Sequence, residues 1–336
     1  MHSLSTYSMT VLALGAISFG IYLLVKGGDW TVDSAVWVAE RSGLSKVFIA
    51  ATIIAFGTSA PELFTSINAN LTGYPGISLG NVVGSNVANV FMVLGVAALV
   101  APIAISRSEV RVDVLVMMLA TGALVAGMVA GVFPRVAGVA MVAALIGYIF
   151  YQYRANKLEV DEDDQDEDGF GSSRSALLAL FGGLFALVAG SELLVQGAIV
   201  GGVALGVPEA VIGMTVIAFG TSLPELTTSV TAAKKGQSGM IVGGILGSNI
   251  FNILSIVAIT SITRPLVADP RFLGFDLPVV VLVTTIFAAI LLATGRIGRM
   301  TGAVFLVGYV AFIGVQYLGP DPAIMTGVPV AASETR

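Results

Sequence analysis

Two thirteen-residue stretches carry the same chemistry in the same order. Ile54 to Ser66 reads IAFGTSAPELFTS, and Ile217 to Ser229 reads IAFGTSLPELTTS. Each is followed by a second motif, GSNVAN from Gly84 to Asn89 and GSNIFN from Gly247 to Asn252. One offset of 163 residues relates Glu62 to Glu225, Ser85 to Ser248 and Asn89 to Asn252. Pro61 and Pro224 have no N–H to offer the carbonyl four residues back, and the ring crowds it, so a helix must break or kink there. Such a break is expected to free carbonyls around Ala55–Thr58. At membrane depth freed carbonyls need partners. Thr58 and Ser59 put hydroxyls on the same turn. Glu62 lies four residues beyond Thr58, on the same face. The second copy repeats the arrangement with Thr221, Ser222 and Glu225. Ser85 and Asn89, like Ser248 and Asn252, stand at i and i+4 and form a polar stripe on an apolar helix. The donors are carboxylates, amides, hydroxyls and carbonyls, without nitrogen or sulfur. All-oxygen sites suit hard cations, with Ca²⁺ taking about 6–8 oxygens. A lone ionised carboxylate at the bilayer centre costs at least ~2.5–3.5 kcal/mol, which a cation shared between two of them offsets. A single Ser or Asn in such a segment more often only glues helices together. Two Pro-Glu motifs, each followed by a Ser/Asn pair at identical spacing, point past packing to a cation site.

The elements that position these residues follow from composition. The chain has 336 residues, 56% of them hydrophobic and 11% charged, with 40 glycines and no cysteine. A soluble protein carries about 25% charge, so this is an integral membrane protein. The absence of cysteine excludes disulfides and thiolate chemistry, and the single His2 excludes a His-ligated metal. Nucleophile–base pairs and cofactor motifs are missing, so neither an enzyme nor a cofactor is expected. Ten apolar segments are long enough to span a bilayer: 8–27, 45–70, 77–103, 110–131, 134–153, 174–202, 208–233, 239–262, 275–295 and 299–318. Continuous apolar runs exclude a membrane β-barrel. Placing both termini outside puts twelve of the 16 basic residues on the inner side. The expected fold is all-α, with ten transmembrane helices in two five-helix repeats. An odd number of spans per half makes the repeats cross the membrane in opposite directions, as in secondary transporters. The domains are 1–158 (first repeat, motif 54–89), an acidic cytoplasmic linker at 159–173, 174–318 (second repeat, motif 217–252) and an extracytoplasmic tail at 319–336. Upstream of the motifs the offset grows to 170, so the first half carries about seven extra residues around Asp29–Arg41. Gly80, Gly84, Gly243, Gly244 and Gly247 allow close helix approach.

GTSAPE…GSNVAN and GTSLPE…GSNIFN resemble the paired repeats of the sodium/calcium exchanger family, within the wider cation/Ca²⁺ antiporters, over essentially the whole chain. The resemblance implies that Ala55, Thr58, Ser59, Glu62, Ser85 and Asn89, with Ala218, Thr221, Ser222, Glu225, Ser248 and Asn252, line the ion positions. It implies Ca²⁺ centred on the two glutamates, three Na⁺ as the alternative load, and alternating access by sliding of the first and sixth spans. Its substrates would be Ca²⁺ and Na⁺ and its surroundings the lipid bilayer of a prokaryotic plasma membrane, with no nucleic acid and no obligate protein partner. Some members, including potassium-dependent ones and certain prokaryotic ones, carry Asp where this chain has Asn252, and the Asn argues against K⁺ coupling. The large regulatory Ca²⁺-binding domains of animal exchangers are absent. A Ca²⁺/H⁺ antiporter of the same fold and a cation channel are the competing readings. Proton-coupled relatives resemble Gly-Asn-x-x-Glu rather than Gly-Thr-Ser-x-Pro-Glu, and broken inverted repeats suit alternating access better than a pore. Asp113 and Asp276, also 163 apart, are expected in the first turn of a helix, where the dipole favours an anion. Glu192 is expected to be interfacial or paired within its helix. Asp164, Asp166, Asp168 and Gly169 begin like an EF-hand loop, but Ser175 stands where Glu is needed, so the acidic run reads as a solvated linker.

Overall fold

A computed structural model describes residues 6–155, 170, 172–204 and 220–318. Among them, eight helices are long and apolar enough to cross a membrane, or nine if one bent pair counts as a single span. The first helix, α1 (Thr6–Ser42), has 37 residues. At 1.5 Å per residue it is about 55 Å long, well beyond a hydrocarbon core of ~30 Å. The expected span 8–27 is therefore only part of it, and the extra residues of the first half continue the same helix. Asp29 and Asp33 on that extension meet Lys235 at 3.3 and 2.7 Å. The helix stops at Gly43, whose φ of 66° ends helices without a Cβ penalty.

Ser45 then caps α2 (Lys46–Thr58), accepting from the Phe48 N–H at 3.1 Å. At Ser59 the backbone leaves helical geometry (φ −84°, ψ 9°), and α3 (Ala60–Leu71) sets off at 45° to α2. Pro61 falls in the first turn of α3, where an N–H would have no partner within that helix. The expected break is thus where Pro61 put it. After it come α4 (Pro75–Val100), α5 (Arg107–Val129), α6 (Arg135–Ala155) and α7 (Ser173–Ala204). The expected span 208–233 is described only from residue 220, where Ser222 (φ −88°, ψ 4°) repeats the break and α8 (Leu223–Lys234) begins. The chain finishes with α9 (Ser238–Thr263), α10 (Asp276–Ala293) and α11 (Arg299–Leu318).

The two helices that carry the Ser/Asn motifs form the centre. In α9 and α4, 94% and 78% of the membrane-length window is buried, against 44% or less in the other spans. Outward faces carry bare apolar side chains such as Phe185, Val136, Val307 and Val310, as a bilayer-facing surface requires. Two short antiparallel pairings close the bundle: β1 (Ile103–Ala104) with β4 (Arg296–Ile297), and β2 (Val132–Phe133) with β3 (Leu266–Val267). Because β1 and β2 flank α5, the two pairings sit at opposite ends of the bundle. Each joins one half of the chain to the other. Outside the centre, α1 and α7 pack backbone to backbone in antiparallel register. A Cβ at Gly20 would meet Gly190 O at 2.7 Å, one at Gly27 would meet Gly183 O at 2.8 Å, and one at Gly197 would meet Ala13 O at 2.9 Å.

Two expectations about isolated acids come out differently. Asp276 does begin α10, and Gln316 of α11 donates to it. Asp113 is not in a first turn; it lies nearly two turns into α5, fully buried. There Tyr148 Oη at 2.5 Å and the Gln152 amide of α6 donate to it in place of helix-end N–H groups. Glu192 is exposed and accepts from Gln196 one turn on at 2.9 Å, so it is paired within its helix. The acidic run from Glu159 to Asp168 lies outside the described residues, as does the tail beyond 318.

Candidate cation site

The two breaks bring the motif copies face to face. Ser59 Oγ, at the end of α2, donates to Glu225 Oε1, at the start of α8, over 2.9 Å. Thr58, Glu225, Ser229 and Ser248 line one small cavity of about 20 Å³, room for a single water-sized body. Glu62 at 1% and Glu225 at 6% exposure are both enclosed, and their carboxylates lie near enough to repel each other. Neither meets a basic side chain among the described residues. The ion pairs among the described residues are Lys46–Glu40 and Lys235 with Asp29 and Asp33. Glu62 Oε2 and Glu225 Oε2 are buried with no hydrogen-bond partner among the described residues. A buried carboxylate pair with unpartnered oxygens is costly unless a cation or a proton arrives.

The Ser/Asn stripes complete the surroundings. Ser85, Asn89, Ser248 and Asn252 are all buried. Asn89 and Asn252 each open a π-helical turn, Asn89–Val93 in α4 and Asn252–Val257 in α9. Such turns widen the helix by one residue and recur at functional sites. Asn89 Nδ2 donates to Asn249 Oδ1 at 3.1 Å, and Asn252 Nδ2 donates to Asn86 Oδ1 at 2.9 Å. Both bonds cross between the halves. Asn81 braces the turn after the first break, donating to Glu62 O at 3.1 Å and Ser66 Oγ at 2.9 Å.

The structure thus gathers Thr58, Ser59, Glu62, Ser85, Asn89, Ser222, Glu225, Ser248 and Asn252 as buried groups of the central helices and breaks. Thr221 is half-buried in the second break, and Ala218 lies outside the described residues. The expected freeing of carbonyls needs correction at two positions. Ala55 O still accepts from the Ser59 N–H at 3.0 Å, because the chain completes one more turn before Pro61 interrupts it. Gly220 O, which Pro224 deprives of its amide donor, accepts from Ser191 Oγ of α7 at 2.5 Å. Asn86, Asn249, Asn81 and Ser191 were not singled out by sequence. For Asn86 and Asn249 the signal was present, since they recur at the same offset of 163 as the flanking Ser and Asn. Among the described residues no three of His, Cys, Asp and Glu converge. Cation capture would therefore fall to two carboxylates assisted by neutral oxygens.

Comparison with known proteins finds relatives of the chain. The profile of the family described as sodium/calcium exchanger protein matches residues 12–154 and 175–318. The sodium/calcium exchanger MaX1 of Methanosarcina acetivorans is 33% identical, over 89% of this chain and 96% of its own length. An uncharacterised membrane protein of Methanocaldococcus jannaschii is 34% identical, over 93% of this chain and all of its own. A solved structure of the sodium-calcium exchanger NCX_Mj, soaked with 10 mM Na⁺ and no Ca²⁺, superimposes with a TM-score of 0.80 at 33% identity, covering 92% of this chain and 99% of that one.

Proposed function

The chain belongs to the sodium/calcium exchanger protein family, and from that premise we propose that it exports Ca²⁺ from a prokaryotic cell in exchange for entering Na⁺. The observation that carries this reading is the buried Glu62 and Glu225, contributed by two copies of one motif, each with one oxygen that has no partner among the described residues. Thr58, Ser59, Ser85, Asn89, Thr221, Ser222, Ser248 and Asn252, with the backbone at Ala55 and Ala218, supply the neutral oxygens around it. Ca²⁺ draws on both carboxylates at once. Na⁺ ions need fewer charges each and spread over the hydroxyls and amides.

In this reading the fold is ten spans in two inverted five-helix repeats, with the described half-span α8 completing the seventh. Three observations support the inversion. The glycine seam sets α1 antiparallel to α7. The strands β1 and β3 are 163 residues apart, and each pairs with the other half. The pairings also sort the basic loops, with Arg107 and Arg299 beside one and Arg135 and Arg264 beside the other. With Arg107 and Arg299 cytoplasmic, both termini are outside and the acidic linker is inside. The deciding measurement is ⁴⁵Ca²⁺ uptake into proteoliposomes under imposed Na⁺, K⁺ or H⁺ gradients. Uptake driven by an outward Na⁺ gradient alone is expected. Uptake driven by a pH gradient without Na⁺ would replace this reading with Ca²⁺/H⁺ exchange.

A further inference from the structure

We infer that Asn86 and Asn249 are positioning residues that fix which end of the Asn252 and Asn89 side chains faces the ions. The inference rests on the antiporter reading of the site and assigns a part to two residues outside the twelve that line it.

An amide side chain has two unlike ends. Its oxygen attracts a cation and its NH₂ repels one, and a half-turn about the last side-chain bond exchanges them. A carboxylate has no such wrong end. Asn at positions 89 and 252 therefore serves a cation only if something holds the NH₂ away from it. Asn86 does this for Asn252: its Oδ1 takes the Asn252 NH₂ at 2.9 Å, and Asn252 Oδ1 is left buried without a partner among the described residues. Asn249 does it for Asn89, its Oδ1 taking the Asn89 NH₂ at 3.1 Å. The orienting residues are themselves 1% exposed, so water does not compete for these bonds. Asn249 also rests its own NH₂ 4.0 Å from Met117 Sδ, a weak acceptor, which leaves its oxygen turned toward Asn89. In each motif copy the first Asn orients the second Asn of the other copy. The halves thus complete each other's ligands, and an orientation lost in one half is felt in the other.

A merely structural pair would matter equally whatever residue stands at 252. An orienting pair matters only while residue 252 is an amide. The test is Asn86→Leu, which fills similar space without an acceptor, made in the native chain and in Asn252→Asp. Half-saturating Ca²⁺ is read from Na⁺-driven exchange in proteoliposomes, and ion-free thermal unfolding is read in detergent. In the native background Asn86→Leu is expected to raise half-saturating Ca²⁺ about tenfold or more, the scale of one misdirected charge-assisted contact. In Asn252→Asp it is expected to raise it less than about threefold, with ion-free unfolding moving alike in both backgrounds. Asn86→Asp keeps an acceptor for the Asn252 NH₂ and is expected to hold at least native Ca²⁺ affinity, which serves even where Asn86→Leu does not fold. Equal losses in the two backgrounds, no loss in the native one, or a weakened Asn86→Asp would each overturn the inference while native exchange persists. A native chain that neither exchanges Ca²⁺ for Na⁺ nor is stabilised by either ion would overturn the antiporter reading itself, and this inference with it.

Discussion

At the scale of single residues, Glu62 and Glu225 hold the same position in two copies of a motif, yet neither is a spare for the other. Each is buried and contributes one charge and one oxygen without a hydrogen-bond partner among the described residues. Glu62→Gln and Glu225→Gln are each expected to abolish Na⁺-driven Ca²⁺ flux. Both relieve the repulsion between enclosed like charges, so ion-free unfolding should occur at an equal or higher temperature. What each variant should lose is stabilisation by Ca²⁺, which for an intact site reaches about 2.7 kcal/mol at a hundredfold excess over Kd. Near-native flux, or Ca²⁺ stabilisation retained in either variant, would count against a site shared between the glutamates. These residues were legible because an acid is conspicuous in an apolar span and because the motif occurs twice. Asn86 and Asn249 recur at the same offset but stand out less, since each sits beside a Ser/Asn pair that already accounts for a polar stripe. Their partners lie 166 and 160 residues away, on a helix that no local spacing identifies.

At the scale of elements, the breaks follow directly from Pro chemistry, and their consequences do not. Removing an amide donor is a local event, so Gly-Thr-Ser-x-Pro-Glu announces where a helix must stop. Where the released carbonyl goes depends on what packs alongside, and α7 brings Ser191 to Gly220 O. The π turns at Asn89 and Asn252 are hidden for a similar reason, because a one-residue slip in hydrogen bonding leaves no mark in composition. Pro61→Ala and Pro224→Ala are expected to raise the half-saturating concentrations of Ca²⁺ and Na⁺ more than they change thermal stability, by straightening the approach of Glu62 and Glu225. Unchanged apparent affinities for both ions would show that the breaks serve packing alone. The central helix α9 offers a separate measurement. A Cβ at Gly247 would lie 2.4 Å from Ala51 O on α2, a backbone atom that no rotamer change can move. Gly247→Ala is expected to cost about 1–3 kcal/mol. Gly122→Ala, exposed on α5 with nothing within 4 Å, should stay within about 0.5 kcal/mol of the native chain in the same detergent unfolding series.

At the scale of the whole molecule, the motif segments hold two carboxylates and no third acid, because positions 89 and 252 are both Asn. With both glutamates ionised, one Ca²⁺ neutralises the site, whereas three Na⁺ would leave one positive charge. Exchange is then expected to be electrogenic, with about 2.3 kcal/mol per 100 mV for each charge moved. Liposomes clamped at set potentials with valinomycin and K⁺ should show faster Na⁺ entry and Ca²⁺ exit when the inside is negative. Flux indifferent to voltage would point to two Na⁺ per Ca²⁺ or to a protonated glutamate. The crossing bonds between halves also bear on how the protein is made. Ser59 waits for Glu225, Asn89 for Asn249, Asn86 for Asn252, and β1 and β2 for strands that follow α9. At ~5–20 residues per second, the 163 residues between equivalent positions take on the order of ten to thirty seconds to synthesise. For that interval the first half stands in or beside the bilayer with a carboxylate, two amides and two strand edges unanswered. Biogenesis must therefore shelter an unfinished polar surface at the insertion machinery until translation delivers its complement.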